Sequence, residues 1–197
     1  TARHVVEGCH AIWVQIAPKR ALKVRRTIIH PRADVAVLTT RGGPSGLTLS
    51  DAQPRRGDAA FKIGFPKGAP GAVHGRYLGE IAMRHRGRNG YREKVNVWSE
   101  VSRIPGQFGS LGGLSGGAVF DDTGRIIGVV EAESRRRGRI MTAKPRTMRE
   151  IITRAQVNVK PGETAGGGFS RNAYPQAARR LITTLRIARV VCRVNVK

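Results

Sequence analysis

The sequence predicts an all-β protein. Three observations carry that expectation: apolar, β-branched runs recur at strand length, turn-forming residues separate them, and a helical spacing emerges only near residue 150 and again in the tail. Residues 11–16 and 22–29 form the first such pair, with Pro18-Lys19-Arg20 as the turn of a hairpin. Asp34 heads the next strand, Val35-Ala36-Val37-Leu38. Arg41-Gly42-Gly43-Pro44-Ser45-Gly46 is a loop by composition and leads through Leu47-Thr48-Leu49 to a hairpin region at Gly57. Residues 77–83 and the alternating Val95-Asn96-Val97-Trp98 flank a basic turn at 84–90. Asp121-Asp122-Thr123-Gly124 joins Ala118-Val119-Phe120 to Ile126-Ile127-Gly128-Val129-Val130 as a further hairpin. Residues 135–139 form a basic loop tip, and Met148, Ile151 and Ile152 predict a short helix after Pro145. Beyond a Gly-rich linker around Gly166, the tail predicts a helix over 176–185 and a strand over 190–196, either docked on the open side of the first strands or disordered.

Composition narrows the function classes. With 40% hydrophobic and 25% charged residues in 197, the chain has enough apolar mass for one or two small cores. Its 36 Lys+Arg against 13 Asp+Glu give a net charge of +23, which favours nucleic acid, anionic membrane or acidic protein surfaces as contacts. The arginines are spread along the chain, however, and a solvated surface accounts for them equally well. No helix-turn-helix, zinc spacing or aromatic-interleaved RNA motif accompanies the charge. The tail alone, with seven basic and no acidic residues over 171–197, is the candidate for a weak polyanion contact. No apolar run is long enough to span a bilayer. Neither Cys9 nor Cys192 has Cys-x-x-Cys spacing; Cys9 is expected to be a small buried hydrophobe, although counting alone allows a bridge between the two.

The stretch Gly112-Gly113-Leu114-Ser115-Gly116-Gly117 carries the chemistry. A serine between glycines can occupy a tight turn whose backbone approaches a substrate, because glycine accepts positive φ and adds no bulk. The N–H groups of Gly113 and Ser115 are then candidate donors to an oxyanion, each such donor lowering an acyl-transfer barrier by roughly 3–4 kcal/mol. A serine hydroxyl needs a base and an orienting acid. His4, in Thr1-Ala2-Arg3-His4-Val5-Val6, and Asp34 supply them in the order His, Asp, Ser. His10, His30, His74 and His85 lack such a context and are expected to be surface or core residues, and no metal ligand set is expected.

These segments together resemble the trypsin-like (chymotrypsin-fold) serine peptidases, and most of all their HtrA-like bacterial branch. The histidine segment 1–6, the strand from Asp34, the region 57–66, the nucleophile loop with 124–130, and Ala143-Lys144-Pro145 each have a counterpart, so the likeness runs over residues 1 to about 153. It implies two antiparallel β-barrels of the six-stranded type, the first incomplete over residues 1–60 and carrying His4 and Asp34, the second over 61–155 carrying Ser115 and a closing helix. Residues 156–197 follow as linker and basic tail. It implies further a serine endopeptidase acting on polypeptides through an acyl-enzyme, with no cofactor, in a bacterial periplasmic or secreted setting. In that family the opening strands of the first barrel precede the histidine, which is the fourth residue here. The chain is therefore expected to be a piece of a longer protein, and poorly active as it stands.

The rival class is a catalytically silent module on the same fold that binds peptide or nucleic acid. For specificity, the resemblance points to Glu131, Ala132 and Glu133 as lining the primary pocket, with Glu131 and Glu133 on one face of a strand and Glu133 at the pocket mouth. That arrangement favours a basic residue before the scissile bond. The loop before Ser115, with Phe108, Gly109, Ser110 and Leu111, contributes no acid, and surface pairing of the two glutamates with residues 135–139 is the alternative.

Overall fold

A computed structural model describes residues 1–86, 90–107, 109–157, 162–166 and 168–194. Phe108, most of the tip of the basic turn and the last residues of the tail lie outside the described residues. The chain is mostly β and contains few helices. One helical turn, α1 (Arg3–Val6), precedes β1 (Ala11–Ala17), β2 (Arg20–Lys23), β3 (Arg26–Ile29) and β4 (Ala36–Thr39). Then come β5 (Ala59–Gly64), the long pair β6 (Gly71–His85) and β7 (Tyr91–Ile104), β8 (Ala118–Phe120), β9 (Ile126–Ser134) and β10 (Arg139–Thr142). Helices α2 (Pro145–Ala155) and α3 (Tyr174–Thr183) and strand β11 (Arg189–Arg193) complete the order.

Strands β5 to β10 close into a six-stranded barrel in the order β10-β7-β6-β5-β8-β9. Its interior is packed by Ala60, Val73, Trp98, Leu114, Val119 and Ile140, and alternation sends the neighbours of these residues to the outside. On β5 and β8 that outer face is also buried, because Phe61 and Phe120 meet Phe169, Tyr174 and Leu181 of the tail. Apart from Lys62, both faces of these strands are apolar for that reason. Helix α3 is thus docked on the barrel, and each large side chain it buries there contributes roughly 1.5–3 kcal/mol. Helix α2 starts at Pro145, as expected, and seals the junction between the halves with Ile151 against Ala33, Val35 and Val129.

The first half is built differently. Its strands form two small sheets, β11-β1-β2 and β3-β4. The single strand expected over 22–29 is in fact two, because the chain changes partner after β2: Val24 N–H still reaches Ile12 O, whereas Arg25 N–H reaches Thr39 O. The tail supplies the other edge, β11 pairing antiparallel with β1 from Ala11 opposite Arg193 to Gln15 opposite Arg189. A disulfide between Cys9 and Cys192 pins that pairing. Cys9 is therefore a half-buried bridge residue and not the buried free thiol expected of it.

Candidate active site

His4 sits in the α1 turn, and Asp34 lies just before β4; backbone bonds bring the two segments together. Thr1 N donates to Ala36 O at 3.1 Å, Ala36 N–H to Thr1 O at 2.9 Å and Arg3 N–H to Asp34 O at 3.1 Å. This short ladder points both carboxylate oxygens of Asp34 at His4. Oδ1 accepts the His4 backbone N–H at 2.9 Å, and Oδ2 lies 2.6 Å from His4 Nδ1. The Asp34 side chain is 4% exposed and that of His4 is 49% exposed, so the acid is sequestered while the imidazole reaches the open surface. The hydrogen bond to Asp34 raises the His4 pKa above its ordinary 6.5 against the opposing effect of burial. It also fixes a tautomer with the proton on Nδ1, leaving Nε2 as the basic nitrogen.

The serine loop is held by its own turns and by the barrel. Leu114 is buried in the barrel core; its N–H donates to Leu111 O, and Gly117 N–H donates to Leu114 O. Gly116 N–H donates to Val130 O and Val130 N–H to Gly117 O, which ties the loop to β9. Two glycines are required by geometry. Gly113 has φ +93° and a side chain there would stand 2.8 Å from Phe65 O; Gly116 has φ +79° and would meet Thr1 Oγ1 at 2.2 Å and Ala2 N at 2.8 Å. The Gly116 backbone is therefore packed directly on the two residues that lead to His4. Ser115, Gly113 and Gly116 line a cleft of about 540 Å³ together with Thr1, Val5, Phe65, Met148 and the tail residues 186–190. Among the described residues, the N–H groups of Gly113 and Ser115 donate to no protein acceptor.

The three expected pocket residues are placed unequally. Glu133 accepts the Leu111 N–H at 3.0 Å and the Ser110 hydroxyl at 3.4 Å, and stands 3.9 Å from Arg103, in a hollow that Arg135 and Arg136 also line. Its carboxylate is thus engaged in shaping the loop before Ser115. Ala132 is opposite Met141. Glu131 does not share the setting of Glu133, nor does it pair at the surface with residues 135–139. The β9–β10 register slips at this point, with Met141 opposite Ala132 but Thr142 opposite Val130, so Glu131 is the extra residue of a bulge. Bulges break alternation and re-aim a side chain. Here the Glu131 side chain turns inward, 3% exposed, and among the described residues neither carboxylate oxygen has a hydrogen-bond partner.

Glu131 lies beside two residues to which sequence reading assigned no role. Glu93, on β7, receives the Asp34 N–H at 3.1 and 3.3 Å on its two oxygens. His85, on β6, stacks on Tyr91 and places Nε2 2.6 Å from Glu93 Oε1, out of line for a hydrogen bond. Burial, together with the neighbouring carboxylates, pushes Glu131 up to about 10. Burial pushes Glu93 up to about 7 despite its bond to the Asp34 N–H. His85 and Glu93 meet across the β6–β7 hairpin, but Glu131 joins them only through the distant β9 bulge, which no local signal in the sequence reveals.

Known proteins can now be set beside this geometry. The trypsin-like peptidase domain family matches residues 1–129. Among curated proteins no sequence matches. Among solved structures, the active form of the Rv3671c protease from M. tuberculosis superimposes with a TM-score of 0.67 at 19% identity, over 83% of this chain and 72% of that one. The apo protease domain of MamO from Magnetospirillum magneticum gives 0.55 at 17% identity, over 76% and 79%. The HtrA-type protease AlgW with a decapeptide gives 0.56 at 22% identity, over 86% and 56%. At such identities the likeness to these structures speaks for a trypsin-like fold; the family match, which runs over well more than half of the residues, says that the chain belongs to the trypsin-like peptidase domain family.

Proposed function

We propose that the chain is a serine endopeptidase in which His4, Asp34 and Ser115 act as base, orienting acid and nucleophile. Ser115 Oγ attacks the scissile carbonyl carbon while His4 Nε2 takes its proton, and Asp34 holds Nδ1–H and the imidazolium that forms. The N–H groups of Gly113 and Ser115 receive the oxyanion. His4 then returns the proton to the leaving amine, and water, deprotonated in turn by His4, hydrolyses the acyl-serine. No cofactor enters any of these steps.

One observation carries this reading: Asp34 is buried and bonded through both oxygens to His4, and Gly116, next to Ser115, packs on Thr1 and Ala2 of the segment that leads to His4. A purely structural aspartate would not need to fix the tautomer of a half-exposed imidazole. The described substrate class is polypeptide, as befits the family and in line with AlgW, whose structure holds a decapeptide. Labelling with a fluorophosphonate probe tests the assignment. Labelling at Ser115, mapped by peptide mass, is expected at the low rate of a poorly active enzyme, and Ser115→Ala is expected to lose it entirely. Labelling retained in the alanine variant would move the nucleophile elsewhere. A folded wild type that does not label at all would favour the silent binding module.

A further inference from the structure

The group at the inner ends of β6, β7 and β9 is unusual for a structure with so few acidic residues. Glu131 is buried, and among the described residues neither of its oxygens has a hydrogen-bond partner. A carboxylate removed from water without hydrogen bonds is costly by several kcal/mol, and a folded chain relieves it by taking up a proton, by pairing or by coordinating a metal. The Glu93 side chain, 6% exposed, keeps its oxygens aimed between the Asp34 N–H and His85. His85 Nε2 makes no hydrogen bond among the described residues although it lies 2.6 Å from Glu93 Oε1. One ligand atom from each of His85, Glu93 and Glu131 lies within 4.8 Å of the others. The converging atoms of His85, Glu93 and Glu131 bound a space that suits a cation, with the imidazole nitrogen as a ligand in its neutral form. Among the described residues Arg3 acts on Glu93 by its charge, but its terminal nitrogens bond Glu7 at 2.6 Å and the His30 carbonyl at 3.4 Å, its guanidinium lies over the Tyr91 ring, and only its Nε is left without a partner.

We propose that His85, Glu93 and Glu131 form a binding site for a divalent transition-metal ion of the zinc class, clamping the ends of β6, β7 and β9 to the turn that carries Asp34. The donor set decides the class. One imidazole nitrogen with two carboxylates suits Zn²⁺ better than Ca²⁺ or Mg²⁺, which take all-oxygen shells with more ligands. Ligand distances of about 2.0–2.2 Å are within reach through small rotamer shifts of side chains already this close. A water molecule completes four-coordination. The Asp34 N–H bonded to Glu93 then serves as an outer-shell partner that orients a ligating carboxylate, the role such contacts commonly play in metal sites. The bulge that turns Glu131 inward is the structural device that completes the set. The site adjoins the proposed triad through the Asp34 N–H bonded to Glu93, but metal binding is read without reference to peptidase activity and does not depend on that reading.

The test is metal binding by the whole chain. After dialysis against a chelator, the protein is titrated with Zn²⁺ by equilibrium dialysis and with Co²⁺ by visible absorption, and its thermal unfolding is followed with and without Zn²⁺. One ion per chain, intense d–d bands of four-coordinate Co²⁺, and a rise in Tm with Zn²⁺ are expected. Glu131→Gln, which keeps the side-chain shape, is expected to weaken Zn²⁺ binding by about 100-fold or more and to remove the Tm rise, removal of even an outer-shell partner costing roughly 10–100-fold. His85→Ala should do the same, whereas His10→Ala, on the exposed surface, should bind as wild type does. Absence of saturable binding in the wild type, or binding in Glu131→Gln as tight as in the wild type, would overturn the proposal. Should His85→Ala not fold, Glu131→Gln decides alone.

Discussion

The two halves of this molecule solve the problem of strand edges in different ways. Strands β5 to β10 close on themselves, so every interior strand finds two partners within one continuous stretch of chain. Strands β1 to β4 do not; they lie in two small sheets, one of which borrows its edge from β11 at the far end of the sequence. Closure makes the second half tolerant: it buries Lys62, Asn96 and Thr142 completely and still packs a continuous apolar core. The first half has smaller apolar clusters, and its outer strand pairing is pinned by a covalent bond. The catalytic proposal straddles the difference, with the nucleophile on the closed barrel and its base and acid on the open half.

Asp34→Asn breaks the comparison where the halves meet, and it carries the largest expected effect. Asp34 Oδ1 already accepts the His4 N–H, so an asparagine keeps its carbonyl there and turns its NH₂ toward Nδ1. The imidazole proton is then forced onto Nε2, the nitrogen that must accept from Ser115. Labelling by the fluorophosphonate probe should slow by about 10⁴-fold. In the wild type the reactive form is neutral His4, so the labelling rate should rise with pH through an inflection above imidazole's ordinary 6.5, because Asp34 raises the pKa. An inflection below 6.5, or a variant as fast as the wild type, would remove Asp34 from the site.

Cys192→Ser sharpens the comparison from the side of the open half. The bridge closes a loop of 183 residues, and losing such a constraint typically costs about 2–4 kcal/mol. The loss should be local at first: amide exchange should quicken in β1, β2 and β11, where pairing depends on the bridge, while β5 to β9 keep their protection. Equal acceleration in both halves would show that the barrel depends on the tail strand as much as β1 does.

What the sequence revealed and what it hid follow the same division. The serine loop, the Asp121–Gly124 hairpin and α2 were legible because each rests on local chemistry: glycines at positive φ, an Asp121 carboxylate that accepts the Thr123 and Arg125 N–H groups, a proline at a helix start. The pairing of His4 with Asp34 was legible only through family resemblance, since 30 residues separate them. The Cys9–Cys192 bridge escaped for want of any local signature across 183 residues. The strand expected over 22–29 failed because apolar content does not reveal a change of partner at Val24. Glu131 was misplaced for a sharper reason. Strict alternation sets it beside Glu133, and a single inserted residue in β9 reverses that assignment without altering composition or period elsewhere.

The smallest expected effect tests the claim that closure lets the barrel bear polar groups in its core. Lys62 is completely buried on β5, its ammonium nitrogen 4.3 Å from the centre of the Trp98 ring and 3.3 Å from Ala60 O. Burial drives its pKa well below 10.5, with Glu100 acting weakly in the opposite sense. Between the lowered folded value and the unfolded one near 10.5, the unfolded chain holds a proton that the folded chain does not. Stability from this group therefore increases with pH across that window, by up to about 1.4 kcal/mol per pH unit, and levels off above the unfolded value. Lys62→Met fills a similar volume with no amine to desolvate, so it should raise unfolding stability at neutral pH by about 1–3 kcal/mol. It should also flatten the rise with pH relative to the wild type. Denaturant unfolding of both proteins from pH 6 to 10 supplies the comparison, and the difference between them isolates Lys62 from every other titrating group. A methionine variant that is less stable at neutral pH would mean that the contact with Trp98 outweighs desolvation, and that the barrel gains from its buried lysine where it is here held merely to tolerate it.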